Sequence, residues 1–243
     1  MHKVIGKIEK ALYYKDYVIG VFLDIEAAFN NATTESMIEV LAETGTNNMV
    51  CSWIKEMLEN RQVIAEMAGS KTGKRANRGC PQGGILSPIL WNLIVNDLLR
   101  SGILPSAVEI FCYADDILII ATGKVLEAVR DIIQVALDKL AKWSDKRLLS
   151  FSASKTNAML FCRKQKVTMP SLKLKGAEIK WVDHFKYLGV TIDNKLRWNE
   201  HIKVTSKKAI TSLMQCRKVV SAQWGITPKM MKWIYETVIR PVL

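Results

Sequence analysis

Cys112-Tyr113-Ala114-Asp115-Asp116 lies between an apolar run ending at Phe111 and a second run, Ile117-Leu118-Ile119-Ile120. Adjacent carboxylates disfavour joint ionisation. A chain keeps two of them side by side where a hairpin turns in water, or where a cation neutralises them. The flanking runs predict a β-hairpin over Val108–Ile120 with the acid pair at its tip. An Asp-Asp pair alone says little more than that. Here a third carboxylate, Asp24, ends another strand-like run, Val18-Ile19-Gly20-Val21-Phe22-Leu23, and a glycine-rich loop, Gly79-Cys80-Pro81-Gln82-Gly83-Gly84, falls between the two. Three acids at strand ends beside a glycine loop point to a divalent metal site next to a phosphate-bearing substrate.

Outward from these runs, the helical period of Val4, Ile5, Ile8 and Leu12 predicts an amphipathic helix over 2–15. Two helices are expected over 34–44 and 47–60, parted at Gly45, and a hairpin of Gln62–Ala68 with the basic stretch of Lys71, Lys74, Arg75 and Arg78, turning at Gly69-Ser70. Ile85–Arg100 reads as a helix, with Pro88 tolerated in its first turn because the amide it lacks would be unpaired there. A long amphipathic helix follows over Val125–Lys146. Short strands are expected at Leu149–Ser152, Ala158–Cys162, Leu172–Leu174, Ile179–Trp181 and Tyr187–Ile192, then helix from about Asn199 to Leu243 with Pro228 opening its last segment. This order predicts an α+β fold, an antiparallel sheet with helices on one face, as residues 1–195, and a smaller helical domain over 196–243.

Composition narrows the chemistry. The 243 residues, 49% apolar and 24% charged, are those of a globular chain able to bury a sizeable core. No apolar stretch is long enough to cross a bilayer, and the N-terminus lacks the apolar core of a secretory signal. Both point to an intracellular protein of nucleus or cytoplasm with no membrane partner. Five widely spaced cysteines without a Cys-x-x-Cys pair fit a reducing compartment, and His2, His184 and His201 make no zinc-like spacing with them. The net charge of +12 is uneven: residues 1–161 hold 18 Lys/Arg against 18 Asp/Glu, whereas 162–218 hold 14 against 4. A lysine-rich solvated face would look the same, but beside an acid cluster of metal type the block favours a nucleic-acid partner.

Five strings now occur in an order that resembles reverse transcriptases: Phe22-Leu23-Asp24-Ile25-Glu26-Ala27-Ala28-Phe29, Gly79 to Pro88, Tyr113-Ala114-Asp115-Asp116, Ser154-Lys155-Thr156, and Phe185-Lys186-Tyr187-Leu188-Gly189-Val190. The chain is similar to the palm and start of the thumb of an enzyme from a non-LTR, LINE-type retrotransposon. Leu196-Arg197-Trp198-Asn199-Glu200-His201-Ile202 resembles that lineage in particular. The likeness implies RNA-directed DNA polymerase activity: two Mg²⁺ ions, with Mn²⁺ able to substitute, serving transfer of dNTPs to the 3′-hydroxyl of a DNA primer on an RNA template. A nucleic-acid-binding fragment without activity and a group II intron-type reverse transcriptase are the rival readings.

The resemblance assigns roles by position. Asp24 and Asp115 are the expected ligands of both metals, Asp116 a weaker ligand or field contributor, and the Ile25 carbonyl a ligand of the nucleotide-bound metal. Phe29 would stack under the sugar and exclude a ribose 2′-hydroxyl; without the likeness it reads as a core phenylalanine. Gln82 would touch the incoming nucleotide and Gly83 let backbone approach it, in a loop that could otherwise be a plain turn. Lys155 would donate a proton to pyrophosphate, clamp a phosphate, or simply lie on the surface. Tyr187, Leu188 and Gly189 would form the hairpin that grips the primer end, or an ordinary apolar strand ending at glycine. Lys203, Lys207 and Lys208 are expected on the nucleic-acid face.

The chain departs from the family pattern at two positions. Asn30 stands where an aspartate is common, and Trp91 where phenylalanine is. The fingers are expected to be largely absent, since only 23 residues precede Asp24. Helix 2–15 should then expose an apolar strip, and the thumb should stop early. No endonuclease, RNase H or zinc-knuckle string occurs in the sequence.

Overall fold

In a computed structural model, the chain is described over residues 1–242 apart from 77, 82, 165–166, 218–224 and 226. Cα packing divides it into two compact units, Met1–Val182 and Asp183–Leu243.

The first unit is built on a sheet of order β4-β5-β1-β6-β9. Its centre is β1 (Tyr17–Leu23), whose last six residues are all buried. On one side β1 pairs antiparallel with β5 (Asp116–Gly123), Leu23 standing opposite Ile117. On the other side it pairs with β6 (Asn157–Phe161). β4 (Val108–Tyr113) is the outer neighbour of β5, and β9 (Lys180–Trp181) joins β6 in parallel, the one departure from an all-antiparallel sheet. Successive strand residues face opposite sides. Ile19, Val21, Leu23, Ile117, Ile119 and Ala121 therefore share one face, which forms the main core.

That core is closed by α3 (Thr34–Glu43), α4 (Asn48–Glu59), α5 (Ser87–Arg100) and α6 (Leu126–Lys146). They contribute Met37 and Leu41, Ile54 and Leu58, Trp91, Ile94 and Leu98, and Ile133, Leu137 and Leu140. Each such side chain fully buried is worth roughly 1.5–3 kcal/mol. Thr33 and Asn47 cap α3 and α4 by accepting from the Ser36 and Met49 amides, which sets where the two helices begin. A short turn of helix, α2 (Ala28–Asn31), follows β1 directly. The hairpin β2 (Gln62–Met67) and β3 (Ser70–Arg75) forms, every residue exposed, but it turns at Ala68-Gly69, one residue before the expected turn, where Gly69 takes φ +82°.

α1 (His2–Tyr13) corrects one expectation. Its apolar strip is not exposed: Val4, Ile8, Ala11 and Leu12 are at most 6% accessible. Lys7 pairs with Glu109, whose strand partner Ile120 faces away from the main core. α1 thus lies on the sheet face opposite α6 and covers apolar residues such as Val18 that would otherwise meet water. The strand expected at Leu149–Ser152 reduces to a single bridge between Phe151 and Ile25. The chain enters that segment through Leu148 at φ +54°, and it turns again before β6, so no longer ladder can form. The little hairpin β7 (Lys173–Leu174) and β8 (Ala177–Glu178) precedes β9.

The second unit opens with a hairpin, β10 (His184–Tyr187) and β11 (Val190–Asp193): it turns at Leu188-Gly189, as the resemblance implies, in place of the single strand that the apolar pattern predicts over 187–192. Leu188 and Gly189 both have positive φ, +48° and +86°, the two-residue turn that a right-handed hairpin twist prefers. The Asp193 carboxylate accepts from the Lys195, Arg197 and Trp198 amides, and the Thr191 amide donates to His201 Nδ1. These bonds tie the hairpin to α7 (Asn199–Arg217), which is why the units part at 182/183 and not near 195. Pro228 opens α8 (Pro228–Ile234) as expected.

Candidate active site

Asp24 is set by its backbone. The Ser152 amide donates to its carbonyl at 2.8 Å, the Glu26 amide donates to the Ser150 carbonyl at 2.8 Å, and the Asp24 amide reaches the Thr156 hydroxyl at 3.4 Å. The two backbone bonds flank Ile25, the non-hydrogen-bonded member of its bridge with Phe151, so the bridge does not use the Ile25 carbonyl. Thr156 is completely buried. Sequence reasoning quoted it inside Ser154-Lys155-Thr156 without giving it a task; that string was the available signal.

The β1–β5 register carries Asp24, just past Leu23, across from Asp116. β4 and β5 close through a two-residue turn, since Tyr113 pairs with Asp116 and leaves Ala114-Asp115 as the loop. Ala114 holds φ +52°, a region costly to a residue with a Cβ. Its carbonyl accepts a 2.7 Å hydrogen bond from the indole of buried Trp91. Trp91 had been noted in the sequence only as a departure from a phenylalanine. No local pattern could reveal a bond between residues 23 positions apart.

The electrostatics follow from this crowding. Burial first, then the charges of Asp115 and Asp24, push the Asp116 carboxyl above the usual carboxylate range. Asp24 Oδ2 is sealed from solvent and accepts no hydrogen bond. Lys155 Nζ stands 3.6 Å from it, near enough for charge but beyond hydrogen-bond reach. Among the described residues no group of three His, Cys, Asp or Glu side chains is arranged to hold an ion unaided. Mg²⁺ takes only one or two carboxylates and completes its shell with water and phosphate oxygens. A sealed carboxylate oxygen that accepts no hydrogen bond, an acid pushed up by burial and by its neighbours, and a lysine 3.6 Å away together make a set that a divalent cation would neutralise.

Phe29 sits half-buried in α2, its ring 5.4 Å from that of Trp91 at a 39° tilt. Ala27, at φ +45°, turns the chain from β1 into α2 and so aims Phe29. The glycine loop is bonded to the same turn: the Cys80 amide donates to the Phe29 carbonyl at 2.7 Å and the Gly79 amide to the Ala32 carbonyl at 2.8 Å. A Cβ at Gly79 would lie 2.6 Å from the Phe29 carbonyl oxygen, so only glycine fits there. Gly83, at φ +82°, is exposed with open space around it, whereas Gln82 lies outside the described residues. Arg61, also unmarked in the sequence, clasps the loop by donating to the Gly79 carbonyl at 2.5 Å. The first unit therefore gathers Asp24, Ile25, Phe29, Asp115, Asp116 and Lys155 around the end of β1, with the start of the glycine loop, at Gly79 and Cys80, bonded to the Phe29 turn. Tyr187, Leu188, Gly189, Lys203, Lys207 and Lys208 belong to the second unit. There Tyr187 is buried and the three lysines are exposed.

Residues 4–192 match the family described as reverse transcriptase (RNA-dependent DNA polymerase). The chain is 26% identical over 225 residues to the putative 115 kDa protein in type-1 retrotransposable element R1DM of Drosophila melanogaster, covering 93% of this chain and 22% of that protein. It is 31% identical over 153 residues to a retrovirus-related Pol polyprotein from type-1 retrotransposable element R1 2 of Nasonia vitripennis, covering 61% and 37%. It is 27% identical over 236 residues to the RNA-directed DNA polymerase from mobile element jockey of Drosophila melanogaster, covering 94% and 25%. The chain thus spans 22–37% of the length of these relatives. Its fold is similar to that of apo telomerase from Candida Tropicalis truncated from the C-terminal domain, with TM-score 0.57 and 15% identity over 81% of this chain and 38% of that one.

Proposed function

The chain belongs to the reverse transcriptase (RNA-dependent DNA polymerase) family, and on that premise we propose that its first unit is the catalytic palm of a non-LTR retrotransposon enzyme, copying RNA into DNA from a primer 3′ end. The second unit serves as the beginning of a thumb. The observation that carries the reading is Asp24 at the end of β1, across from Asp116 and beside the Ala114-Asp115 turn, with one oxygen sealed, accepting no hydrogen bond and 3.6 Å from the Lys155 ammonium.

Nucleotide addition is an in-line phosphoryl transfer, helped mainly by positioning and charge neutralisation. Asp24 and Asp115 would hold two Mg²⁺ ions, with Asp116 adding charge and the Ile25 carbonyl, which its bridge with Phe151 does not use, available as a further oxygen. Bound there, the ions would lower the pKa of the primer hydroxyl and offset the charge on departing pyrophosphate. Phe29, braced by Trp91, would lie under the deoxyribose and leave no room for a 2′-hydroxyl. Gly83 would let backbone amides approach the nucleotide, with Gln82 touching it. Lys155, displaced from Asp24 by the ions, would serve the phosphates.

In the second unit the Tyr187 side chain is buried. The primer would therefore meet the Leu188-Gly189 turn through backbone. Lys203, Lys207 and Lys208 would face the template–primer phosphates. The reading is tested by primer extension on an RNA template with and without Mg²⁺. Mg²⁺-dependent incorporation of dNTPs that vanishes in Asp115→Asn is the expected result, and incorporation indifferent to both would refute it.

A further inference from the structure

We propose that Trp91 is a positioning residue of this site: its indole N–H holds the Ala114-Asp115 turn in the shape that receives the metals, an inference that rests on the reading above. The indole is 1% exposed, fixed on α5 among Ile94, Leu98 and the rest of the core. A buried indole N–H needs an acceptor, and here the acceptor is a peptide oxygen of the turn itself, at 2.7 Å.

The turn cannot hold this shape cheaply alone. Ala114 has φ +52°, and the residue and both neighbouring acids are exposed. Left to itself, an exposed alanine there relaxes toward negative φ and swings Asp115 with it. A rigid buried donor aimed at its carbonyl opposes that relaxation. The same ring lies 5.4 Å from Phe29, so one side chain braces both the acid turn and the aromatic that would read the sugar. Phenylalanine at 91 would keep the ring contact and lose the donor. Reacting groups tolerate displacements well below 1 Å before rates fall steeply, and support of this kind decides whether a site is receptive or loose.

The test needs no turnover. Mn²⁺ binding to the whole chain is followed by loss of the free-ion electron paramagnetic resonance signal, with thermal unfolding recorded on the same samples. Trp91→Phe is expected to weaken Mn²⁺ binding about three- to tenfold, the span of one neutral hydrogen bond. Ala114→Gly added to it should recover most of that loss, because glycine occupies positive φ without a Cβ penalty. Benzothienylalanine incorporated at position 91, which replaces only the N–H by sulfur, should weaken binding as Trp91→Phe does and guards against a packing defect. Parental Mn²⁺ affinity in either Trp91 variant, or a defect that Ala114→Gly leaves untouched, overturns the proposal. Asp115→Asn separates the two failures. If it abolishes Mn²⁺ binding while the Trp91 variants behave as the parent, the metal site stands and the positioning role falls. If it too binds Mn²⁺ normally, the metal site itself is wrong.

Discussion

Arg147→Met should cost the chain about 2–4 kcal/mol at neutral pH. Arg147 is 1% exposed, and its guanidinium donates to Asp97 at 2.9 Å, Glu39 at 2.8 Å and Glu43 at 3.0 Å. Removing one partner of a buried ion pair usually costs about 3–5 kcal/mol, because the remaining charge is left without compensation. Only Asp97, 19% exposed, is in that position, and it keeps a 2.9 Å bond from the Trp143 indole. Glu39 and Glu43 are 53% and 47% exposed, so water recovers them and each pair is worth about 0–1 kcal/mol. Methionine fills most of the apolar stem, so the cavity term stays small.

The pH dependence supplies a sign to check. Burial would raise the Asp97 carboxyl, but hydrogen bonds from Arg147 and Trp143, with the charges of Arg147 and Lys146, hold it below its ordinary value. A group depressed in the folded state stabilises above its unfolded pKa, and that gain is lost as pH falls through the folded value. Urea unfolding of parent and variant, with slope m unchanged, should therefore show a full gap at pH 7 that narrows below the ordinary carboxylate range. A gap under about 1 kcal/mol at neutral pH, or one that does not narrow in acid, would refute this account.

Asp115→Asn should abolish nucleotide incorporation without unfolding the chain; activity within tenfold of the parent, about 1.4 kcal/mol in barrier, removes Asp115 from the metal site. Asp116→Asn should raise Tm at neutral pH in the absence of divalent ions. The Asp116 carboxyl is pushed up in the folded chain, so its contribution is present below the unfolded pKa and lost as pH rises through the folded value. An unchanged or lowered Tm contradicts the mutual repulsion of the three acids. Phe29→Val should increase ribonucleotide use relative to deoxynucleotides; a fall in stability at constant selectivity would return Phe29 to the core. Replacing Lys203, Lys207 and Lys208 with Gln should flatten the slope of log affinity against log salt for an RNA–DNA hybrid, since that slope counts neutralised phosphates. An unaltered slope assigns those lysines to solvent.

Much of the sheet was legible because its signals are local. The continuous apolar runs of β1 and β5, the acid pair between β4 and β5, and the helical period of α6 each sit within one stretch of chain. What was not legible depends on partners far away in sequence. α1 shows an amphipathic pattern whether its strip meets solvent or a second sheet face; only the position of Glu109 beside Ile120 decides. The β10–β11 hairpin joins the second unit because Asp193 and Thr191 bond forward to α7 and the segment before it. The acids near the end of β1 stand out in motif strings, and Thr156 lies in one without its task being visible, while Trp91 and Arg61, which hold the backbone around the acids, leave no such mark. Trp91 and Arg61 donate to peptide carbonyls and Thr156 accepts from the Asp24 amide, and a peptide partner leaves no trace in residue type.

α5 joins these two kinds of support in one element. Near its start Trp91 reaches the Ala114 carbonyl and the Phe29 ring; six residues on, Asp97 accepts from Trp143 and Arg147. At about 1.5 Å rise per residue the two anchor points are about 9 Å apart along one helix. The ionic network therefore fixes where α5 lies against α3 and α6, and the indole converts that placement into the shape of the acid turn. The two ends should separate under mutation. Arg147 touches nothing in the turn, so its loss weakens the fold and, while the chain stays folded, leaves Mn²⁺ affinity near the parent's. Trp91→Phe removes a single hydrogen bond, from a buried indole to the carbonyl of exposed Ala114, so it weakens Mn²⁺ affinity out of proportion to its effect on unfolding. If both substitutions instead moved stability and Mn²⁺ affinity in the same ratio, α5 would be one cooperative block and the turn would have no support of its own.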